Sequence, residues 1–329
     1  MVVDPPTGAG APPPTLVVGG TGHVGAALCL HLVESGGRVV ATARRPSPGF
    51  DHPRIKEVRF DLHRPTDGIP HPGPTTAMVS PWVLDGEADP DWLERLLNHL
   101  AGRGLQTVVL FSTVWVYGDS LVGTVTEATH PKPSNTYGAA HLANERILER
   151  ATDRLGLDGA VLRMTNLVGA DPFHARHGPD SVSVDLGRRN DGRKVSFTHD
   201  LAAMALTDDR IVLRSPPSTR RDLLARGLLH HRIDALLARA TVPGRYEAFN
   251  VGGGRTTTMG DFARTVAEAA SRYHGRPVAI EHPDDSTSLP AFNLDSTRIE
   301  EVAGLCPNDL AHEVSLVIGD VLAARGGHR

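Results

Sequence analysis

From Thr15 onward, short apolar runs alternate with longer stretches in which apolar residues recur at helical spacing. The short runs have the length and composition of buried β-strands and occupy residues 16–18, 38–43, 55–60, 76–80, 105–113 and 160–164. Helical stretches begin at Val24, at the Asp89–Pro90 capping pair and at Thr136, the last of them ending at Leu155. Because parallel strands need helical crossovers, this alternation predicts an α/β fold with a doubly wound parallel sheet.

The bulk composition excludes several classes of partner and site. The 329 residues carry a net charge of -4 with no basic stripe, which argues against a nucleic-acid partner. No apolar run approaches the ~20 residues that span a bilayer, so no membrane partner is predicted. Cys29 and Cys306 are too few for a disulfide framework, and no His, Cys or acidic cluster has metal-ligand spacing. These features predict a cytoplasmic protein that holds no metal.

A glycine-rich loop follows the first strand and opens the first helix, with the spacing Gly20-x-Gly22-x-x-Gly25. Glycines at this spacing permit a tight turn, a close approach to a pyrophosphate and close packing of helix on strand. The helix N-terminus adds free N–H groups and partial positive charge. We therefore predict a Rossmann-type dinucleotide site whose loop residues are Gly19, Gly20, Thr21, Gly22, His23, Val24 and Gly25.

The end of the second strand indicates which dinucleotide is bound. NAD sites usually carry an acidic residue there that accepts hydrogen bonds from the ribose 2′-hydroxyl. This chain has Arg44 and Arg45 instead, and a guanidinium binds a 2′-phosphate through two charge-assisted hydrogen bonds. The sequence thus favours NADP(H) as the cofactor over NAD(H).

Further motifs follow in a fixed order along the chain. They are the loop at 19–25, Asp61-Leu62, the strand end at 111–118, Thr126-Glu127, Tyr137-Gly138, the segment 162–169, Arg221-Asp222 and the segment 249–252. Each motif is weak alone, but in this order they resemble the extended short-chain dehydrogenase/reductase superfamily, in its NAD(P)-dependent epimerase/dehydratase branch of nucleotide-sugar type. The resemblance covers most of the chain.

The resemblance implies roles for particular residues. Tyr137 would be the catalytic general acid or base, and Thr113 would make the second hydrogen bond to the reacting oxygen. Asp61 would face the adenine, with Leu62, Ser80 and Ser112 also at the cofactor. Asn166 and Arg221 would contact the substrate. A homodimer through the helices after Asp89 and Thr136 is typical of such proteins.

The domain prediction joins the pattern to this resemblance. Residues 15–170 are expected to form the NAD(P)-binding domain, with returning segments near 219–252. The polar stretch after Gly169 and a strand, turn and helix near the C-terminus predict a smaller α/β substrate lobe from residues 171–218 and 253–329. Residues 1–14, rich in proline and glycine, are expected to be a disordered tail.

The active-site motif departs from the family pattern, because His141 stands where Tyr-x-x-x-Lys has its lysine. Tyr137 and His141 are four residues apart and share a helix face. A neutral histidine can hold the nicotinamide ribose, but it stabilises a tyrosine anion less well than lysine does. His141 is therefore a candidate catalytic and cofactor residue, or the mark of an active site that has lost its chemistry.

The reaction class follows from the neighbours of Thr113. Dehydratases of this family resemble the present chain but carry an Asp-Glu pair directly after the catalytic threonine, where Val114 and Trp115 stand here. Since neither side chain transfers a proton, elimination is disfavoured. We predict an NADP(H)-dependent oxidoreductase that reduces a keto group on a nucleotide-activated sugar or related small molecule. A nucleotide-sugar epimerase and a non-catalytic NADP-binding or regulatory protein are the alternatives.

Overall fold

A computed structural model describes residues 13–43, 49–59, 69, 73–80, 91–119, 121–173, 182–183, 188–189, 196–283 and 292–326. The helices are α1 His23–Glu34, α2 Trp92–Ala101, α3 Thr136–Leu155, α4 Phe197–Thr207, α5 Arg226–Ala238, α6 Met259–His274, α7 Thr297–Ala303 and α8 Leu310–Gly326, with a 3-10 helix at Val114–Tyr117. None of the helices described is both long and apolar enough to cross a membrane.

The strands are β1 Thr15–Val18, β2 Val39–Ala43, β3 Ile55–Arg59, β4 Thr76–Val79, β5 Thr107–Thr113, β6 Gly123–Val125, β7 Asp158–Met164, β8 Asn166–Val168, β9 Val182–Ser183 and β10 Arg188–Arg189. They continue with β11 Arg210–Val212, β12 Arg220–Ala225, β13 Tyr246–Val251, β14 Thr256–Thr258, β15 Ala279–Glu281 and β16 Phe292–Leu294.

Seven strands form one central sheet in the order β13-β7-β5-β4-β1-β2-β3. Every neighbouring pair in this sheet is parallel. The chain order runs outward in opposite directions from β1 and β4, so the sheet has its switch point between those two strands. The predicted doubly wound parallel sheet is confirmed, and ligands of such sheets bind beyond the carboxyl ends of the strands at the switch point.

Two hydrophobic clusters cover the two faces of this sheet. Leu16 and Val18 belong to the cluster that includes the apolar face of α2. Val17, which lies between them in β1, belongs to the opposite cluster with α1 and α5. Because successive side chains of a strand point to opposite faces, a strand covered on both sides must be apolar throughout. The continuous apolar runs of the sequence follow from this double cover.

Several element boundaries differ from the sequence prediction. The strand β7 begins at Asp158 rather than at residue 160, since Asp158 already pairs with Thr107 of β5, and its carboxylate accepts a hydrogen bond from Arg245 Nε at 2.9 Å. A charged residue is thus held inside a strand whose pattern showed only its apolar part. The helix α2 begins at Trp92 with Asp91 as its N-cap, two residues later than the Asp89–Pro90 signal. Residues 81–90 lie outside the described residues.

A second core lies beside the main sheet and is built by α4, α6 and α8. The small sheet β14-β12-β8 joins this core to the rest of the chain, since β8 continues from β7 of the central sheet. The helix α6, from Met259 to His274, is the helix that the sequence predicted in this part of the chain. Residues 1–12 of the predicted tail at 1–14 lie outside the described residues, and both the tail and the lobe boundaries stay predictions.

One buried carboxylate joins the strand β5 to the helix α3 and the strand β7. Glu145 in α3 is 1% exposed and accepts a hydrogen bond from Ser112 Oγ at 2.5 Å. Its other oxygen accepts from Arg163 Nη2 at 2.7 Å. Arg163 Nη1 donates to the hydroxyl of Tyr117 at 2.9 Å, and that hydroxyl donates to Asn250 Oδ1 at 2.7 Å. The network joins five elements, namely β5, the 3-10 helix, α3, β7 and β13.

We expect Glu145→Gln to lower the free energy of unfolding by about 3–5 kcal/mol, because it leaves the Arg163 guanidinium buried without its counter-charge. The exposed pair Arg154–Glu94 offers a matched control, with its Nη2 and Oε1 atoms 3.0 Å apart. For Glu94→Gln we expect a loss of about 1 kcal/mol or less. Urea denaturation of the three proteins measures both values. Equal losses in the two variants would contradict the buried pair's role.

Candidate active site

The loop after β1 is held between the neighbouring strand ends. Gly19 has φ +78° and its N–H donates to Thr42 Oγ1 of β2 at 3.0 Å. A Cβ atom on Gly19 would lie 2.6 Å from the carbonyl oxygen of Ser80, which follows β4. Backbone conformation and contact with Ser80 both require glycine here. Ser80 thus supplies backbone to the wall of the loop at the switch point.

The same loop packs against the first turn of α1 with no room for a side chain. A Cβ on Gly25 would lie 2.2 Å from the Gly19 carbonyl oxygen, and one on Gly20 would lie 2.8 Å from Ala41 Cβ. Gly22 is the N-cap of α1 and has no side chain with which to cap it.

The first-turn N–H groups of an α-helix have no acceptor within the helix. In α1 these groups belong to His23, Val24 and Gly25, and Thr21 lies half-buried just before them. A cradle of bare backbone that points N–H groups outward fits the pyrophosphate of a dinucleotide.

Four of the predicted cofactor residues lie outside the described residues. These are Arg44 and Arg45, predicted to choose the nucleotide, and Asp61 and Leu62, predicted at the adenine side of the cofactor. The strands β2 and β3 end at Ala43 and Arg59, before these positions in the chain. Their contacts stay predictions.

The predicted proton-transfer group comes together at the end of β5. Thr113 is the last residue of β5 and is buried, and its side chain is hydrogen-bonded to the Tyr137 hydroxyl. The Tyr137 side chain is 41% exposed overall, but its hydroxyl end is the part that meets Thr113. The rings of Tyr137 and His141 meet edge to face with centroids 4.5 Å apart. The helical spacing predicted from the sequence therefore places these three side chains at one point.

Local sequence chemistry brings Tyr137 this close to Thr113. Asn135 is the N-cap of α3, and its Oδ1 accepts from the N–H of Gly138 at 2.8 Å. A Cβ on Gly138 would lie 2.4 Å from the Trp115 carbonyl oxygen. The glycine after the tyrosine therefore lets the first turn of α3 lie against the 3-10 helix that follows Thr113.

Burial shifts both titratable groups further towards their neutral forms. It raises the pKa of Tyr137, an effect that the Thr113 hydrogen bond only partly offsets. It lowers the pKa of His141 to about 4, although the nearby Phe111 carbonyl counters part of this shift. Neither ring nitrogen of His141 makes a hydrogen bond of normal geometry among the described residues. The site therefore presents a protonated phenol beside a neutral imidazole.

Three other predicted site residues, Ser112, Asn166 and Arg221, have separate surroundings. The Ser112 hydroxyl is occupied by Glu145. Asn166 is exposed at the start of β8, directly after β7. Arg221 is exposed on the neighbouring strand β12, and its Nη1 donates to the Arg220 carbonyl at 3.2 Å. Asn166 and Arg221 therefore lie on adjacent strands and not in the cluster with Tyr137.

Sequence reasoning missed two charged residues that contact predicted site residues. Glu145 holds Ser112, and Arg226 at the start of α5 has its Nη2 3.0 Å from the His23 ring. The signal for Arg226 was a single charge inside the apolar stretch at 223–229. For Glu145 the signal was its position one turn after His141 on the buried face of α3.

Comparison with known proteins places this chain among related sequences. Residues 91–204 match the model of the NAD dependent epimerase/dehydratase family. The dTDP-6-deoxy-L-talose 4-dehydrogenase (NAD(P)(+)) of Kitasatospora kifunensis is 28% identical over 305 residues, covering 85% of this chain and 83% of that protein. A UDP-glucose 4-epimerase of Halalkalibacterium halodurans is 26% identical, covering 86% and 87%.

Another relative aligns only in part. The uncharacterized protein y4nG of Sinorhizobium fredii is 28% identical over 218 residues, so the match spans about half of its length, 53%, and 60% of this chain.

Solved structures share the fold. MoeE5 in complex with UDP-glucuronic acid and NAD superposes with a TM-score of 0.68 at 21% identity, covering 94% of this chain and 99% of that one. A UDP-glucuronic acid 4-epimerase from Bacillus cereus in complex with NAD gives a TM-score of 0.70 at 16% identity, covering 94% and 98%.

The family model and the sequence relatives confirm the resemblance that the motifs indicated, and the solved structures agree with it in fold. The chain is therefore similar to enzymes of the NAD dependent epimerase/dehydratase family, whose model its residues 91–204 match, and it carries His141 four residues after Tyr137.

Proposed function

We propose that the protein is an NADP(H)-dependent oxidoreductase that reduces a keto group on a nucleotide-activated sugar or a related small molecule. The observation that carries this proposal is the Tyr137 hydroxyl, hydrogen-bonded to Thr113 and kept protonated beside a neutral His141. The group lies beyond the carboxyl end of β5, which is two strands from β1 and its phosphate loop.

Reduction of a carbonyl needs a hydride and a proton. A bound nicotinamide supplies the hydride. Tyr137, protonated at neutral pH, donates its proton to the carbonyl oxygen, and Thr113 donates a second hydrogen bond that holds this oxygen in place. His141 lies one turn along α3 and offers a neutral imidazole nitrogen to a ribose hydroxyl.

The protonation state favours reduction over epimerisation. An epimerase must first remove a proton from an alcohol, which requires the phenolate of Tyr137. In the family pattern a lysine cation stabilises that phenolate, whereas here burial raises the pKa of Tyr137 and leaves His141 uncharged. At neutral pH Tyr137 can therefore donate a proton, but its phenolate is not available to accept one. Val114 and Trp115 offer no acid–base pair for elimination.

The substrate class is supported by the relatives. The enzyme from Kitasatospora kifunensis is named for oxidation at C4 of a dTDP-linked 6-deoxyhexose, so its reverse reaction reduces a keto group at that carbon. That alignment covers most of both chains. Exposed Asn166 and Arg221 on adjacent strands offer an amide and a guanidinium to a hydroxylated, phosphate-bearing ligand.

A nucleotide-sugar 4-epimerase is the second candidate, and the comparisons favour it by number. Several relatives and structural neighbours carry that name, among them the Halalkalibacterium and Bacillus cereus proteins. An epimerase holds its nicotinamide tightly and often uses NAD, whereas a reductase consumes NADPH. Nucleotide binding without hydride transfer to any keto-sugar would instead favour a non-catalytic binding protein.

Arg44 and Arg45 support NADP(H) as the cofactor of this chain, although the structural neighbours are in complex with NAD. We expect the wild-type protein to bind NADPH at least about tenfold more tightly than NADH, and Arg44→Ala/Arg45→Ala to abolish that preference. Titration of each protein with both nucleotides, followed by nicotinamide fluorescence, measures the two dissociation constants. Equal affinities in the wild-type protein would refute the NADP assignment.

The protonation state of Tyr137 predicts how the rates of reduction and of the reverse oxidation depend on pH. Reduction uses the protonated phenol, so its rate should hold through neutral pH and fall only as the pH rises through the raised pKa of Tyr137. Oxidation of the corresponding alcohol should rise over the same range. His141→Lys adds a cation beside the phenolate, so we expect both transitions to move to lower pH.

The measurement is the pH profile of NADPH oxidation with a dTDP-linked 4-keto-6-deoxyhexose and of the reverse reaction. Tyr137→Phe is the control and should lose at least about a hundredfold in reduction rate while still binding NADPH. Identical profiles for the wild-type protein and His141→Lys would show that Tyr137 is not the titrating group.

A further inference from the structure

A buried arginine contacts the phosphate loop from the C-terminal part of the chain. Arg226 is the first residue of α5 and is 6% exposed. Its Nη2 donates to the His23 carbonyl at 3.3 Å and lies 3.0 Å from Nε2 of the His23 ring. His23 is itself the first residue of α1. The guanidinium therefore meets the loop at the helix turn whose N–H groups form the pyrophosphate cradle.

Carboxylates on other elements keep this cation in place. Glu313 Oε1 accepts from the N–H of Gly227 at 2.6 Å, which fixes the start of α5 against α8. Asp171 and Asp320 add further negative charge near the guanidinium. A buried guanidinium is stable only with such partners, since burial alone penalises its charged form.

The backbone at Gly169 packs closely against the Arg226 side chain. A Cβ on Gly169 would lie 2.7 Å from Arg226 Cβ, 2.9 Å from its Nε and 2.9 Å from Glu313 Oε2. The bare backbone at Gly169 therefore closes over Arg226 and Glu313 together.

We propose that Arg226 is a positioning residue for the cofactor's pyrophosphate, because its contacts hold His23 and with it the first turn of α1. The inference rests on the proposed function, since it concerns the cofactor named there. The glycine pattern alone supplies only backbone N–H groups and the helix dipole.

This arrangement gives the C-terminal helix a part in cofactor binding. Glu313 and Asp320 lie on α8 near Arg226, and Arg226 in turn contacts His23 in the loop after β1. A nucleotide held at the loop therefore depends on residues that are far from it in sequence.

The test compares Arg226→Met with Arg232→Met, which removes a second buried arginine from the same helix. Arg232 Nη1 donates to the Gly252 carbonyl at 2.6 Å and its Nη2 to Glu300 at 3.2 Å, and both partners lie outside the phosphate loop. We expect Arg226→Met to weaken NADPH binding at least about tenfold and Arg232→Met to change it less than about threefold. Dissociation constants come from nicotinamide fluorescence.

A second ligand separates a local effect from general damage to the fold. The nucleotide 2′-AMP carries the adenine, ribose and 2′-phosphate but no pyrophosphate, so its dissociation constant should be the same in Arg226→Met and wild type. Arg226→Lys keeps the charge but loses the guanidinium fork, and we expect it to weaken NADPH binding about threefold. If Arg226→Met does not fold, the NADPH and 2′-AMP dissociation constants of Arg226→Lys test the inference instead.

Unchanged NADPH affinity in Arg226→Met, or in Arg226→Lys where only that variant folds, would overturn the inference. So would an equal loss in Arg232→Met, or an equal loss of 2′-AMP binding. If the wild-type protein binds neither NADPH nor NADH, the proposed function fails as well, and that outcome is read from the wild-type titration alone.

Discussion

The arrangement of the active site depends on the buried carboxylate of Glu145. Glu145 lies in α3. Its carboxylate accepts a hydrogen bond from Ser112 at the end of β5 and forms an ion pair with Arg163 in β7. Thr113 follows Ser112, and Tyr137 precedes Glu145 on the same helix. A buried ion pair tolerates little displacement, because each partner loses its counter-charge when the other moves. The distance between Thr113 and Tyr137 therefore depends on the contacts that Glu145 makes with Ser112 and Arg163.

The chemistry of the active site depends on the surroundings of Tyr137 and His141. A tyrosine beside a lysine and a tyrosine beside a histidine differ little in shape but strongly in charge. Burial lowers the pKa of His141 to about 4, so the imidazole adds no positive charge at neutral pH. The same burial keeps Tyr137 protonated. A donor of protons suits carbonyl reduction, whereas a cycle that begins by deprotonating an alcohol needs a different electrostatic environment.

The phosphate loop shows the complementary case, in which backbone rather than side chains does the binding. Gly19, Gly20 and Gly25 each lie where a Cβ atom would meet a neighbour at less than 3.0 Å. Their absence of side chains exposes the N–H groups of α1 to an anion. Arg226 reaches the same turn from the other end of the chain and brings the only buried guanidinium that the described residues place against His23.

The sequence by itself determined the alternating strands and helices up to residue 164 and the motifs, because these depend on local periodicity and on residues close together along the chain. The helix over residues 136–155 and the sharing of one face by Tyr137 and His141 follow from spacing alone. Only the tertiary structure decided the charge state of His141 and Tyr137, since burial is a property of the packed protein. It also decided that Glu145 meets Ser112 and that Arg226 meets His23, pairs separated by 33 and 203 residues. Such contacts leave no periodic trace in a single sequence, because each arises where distant elements happen to pack.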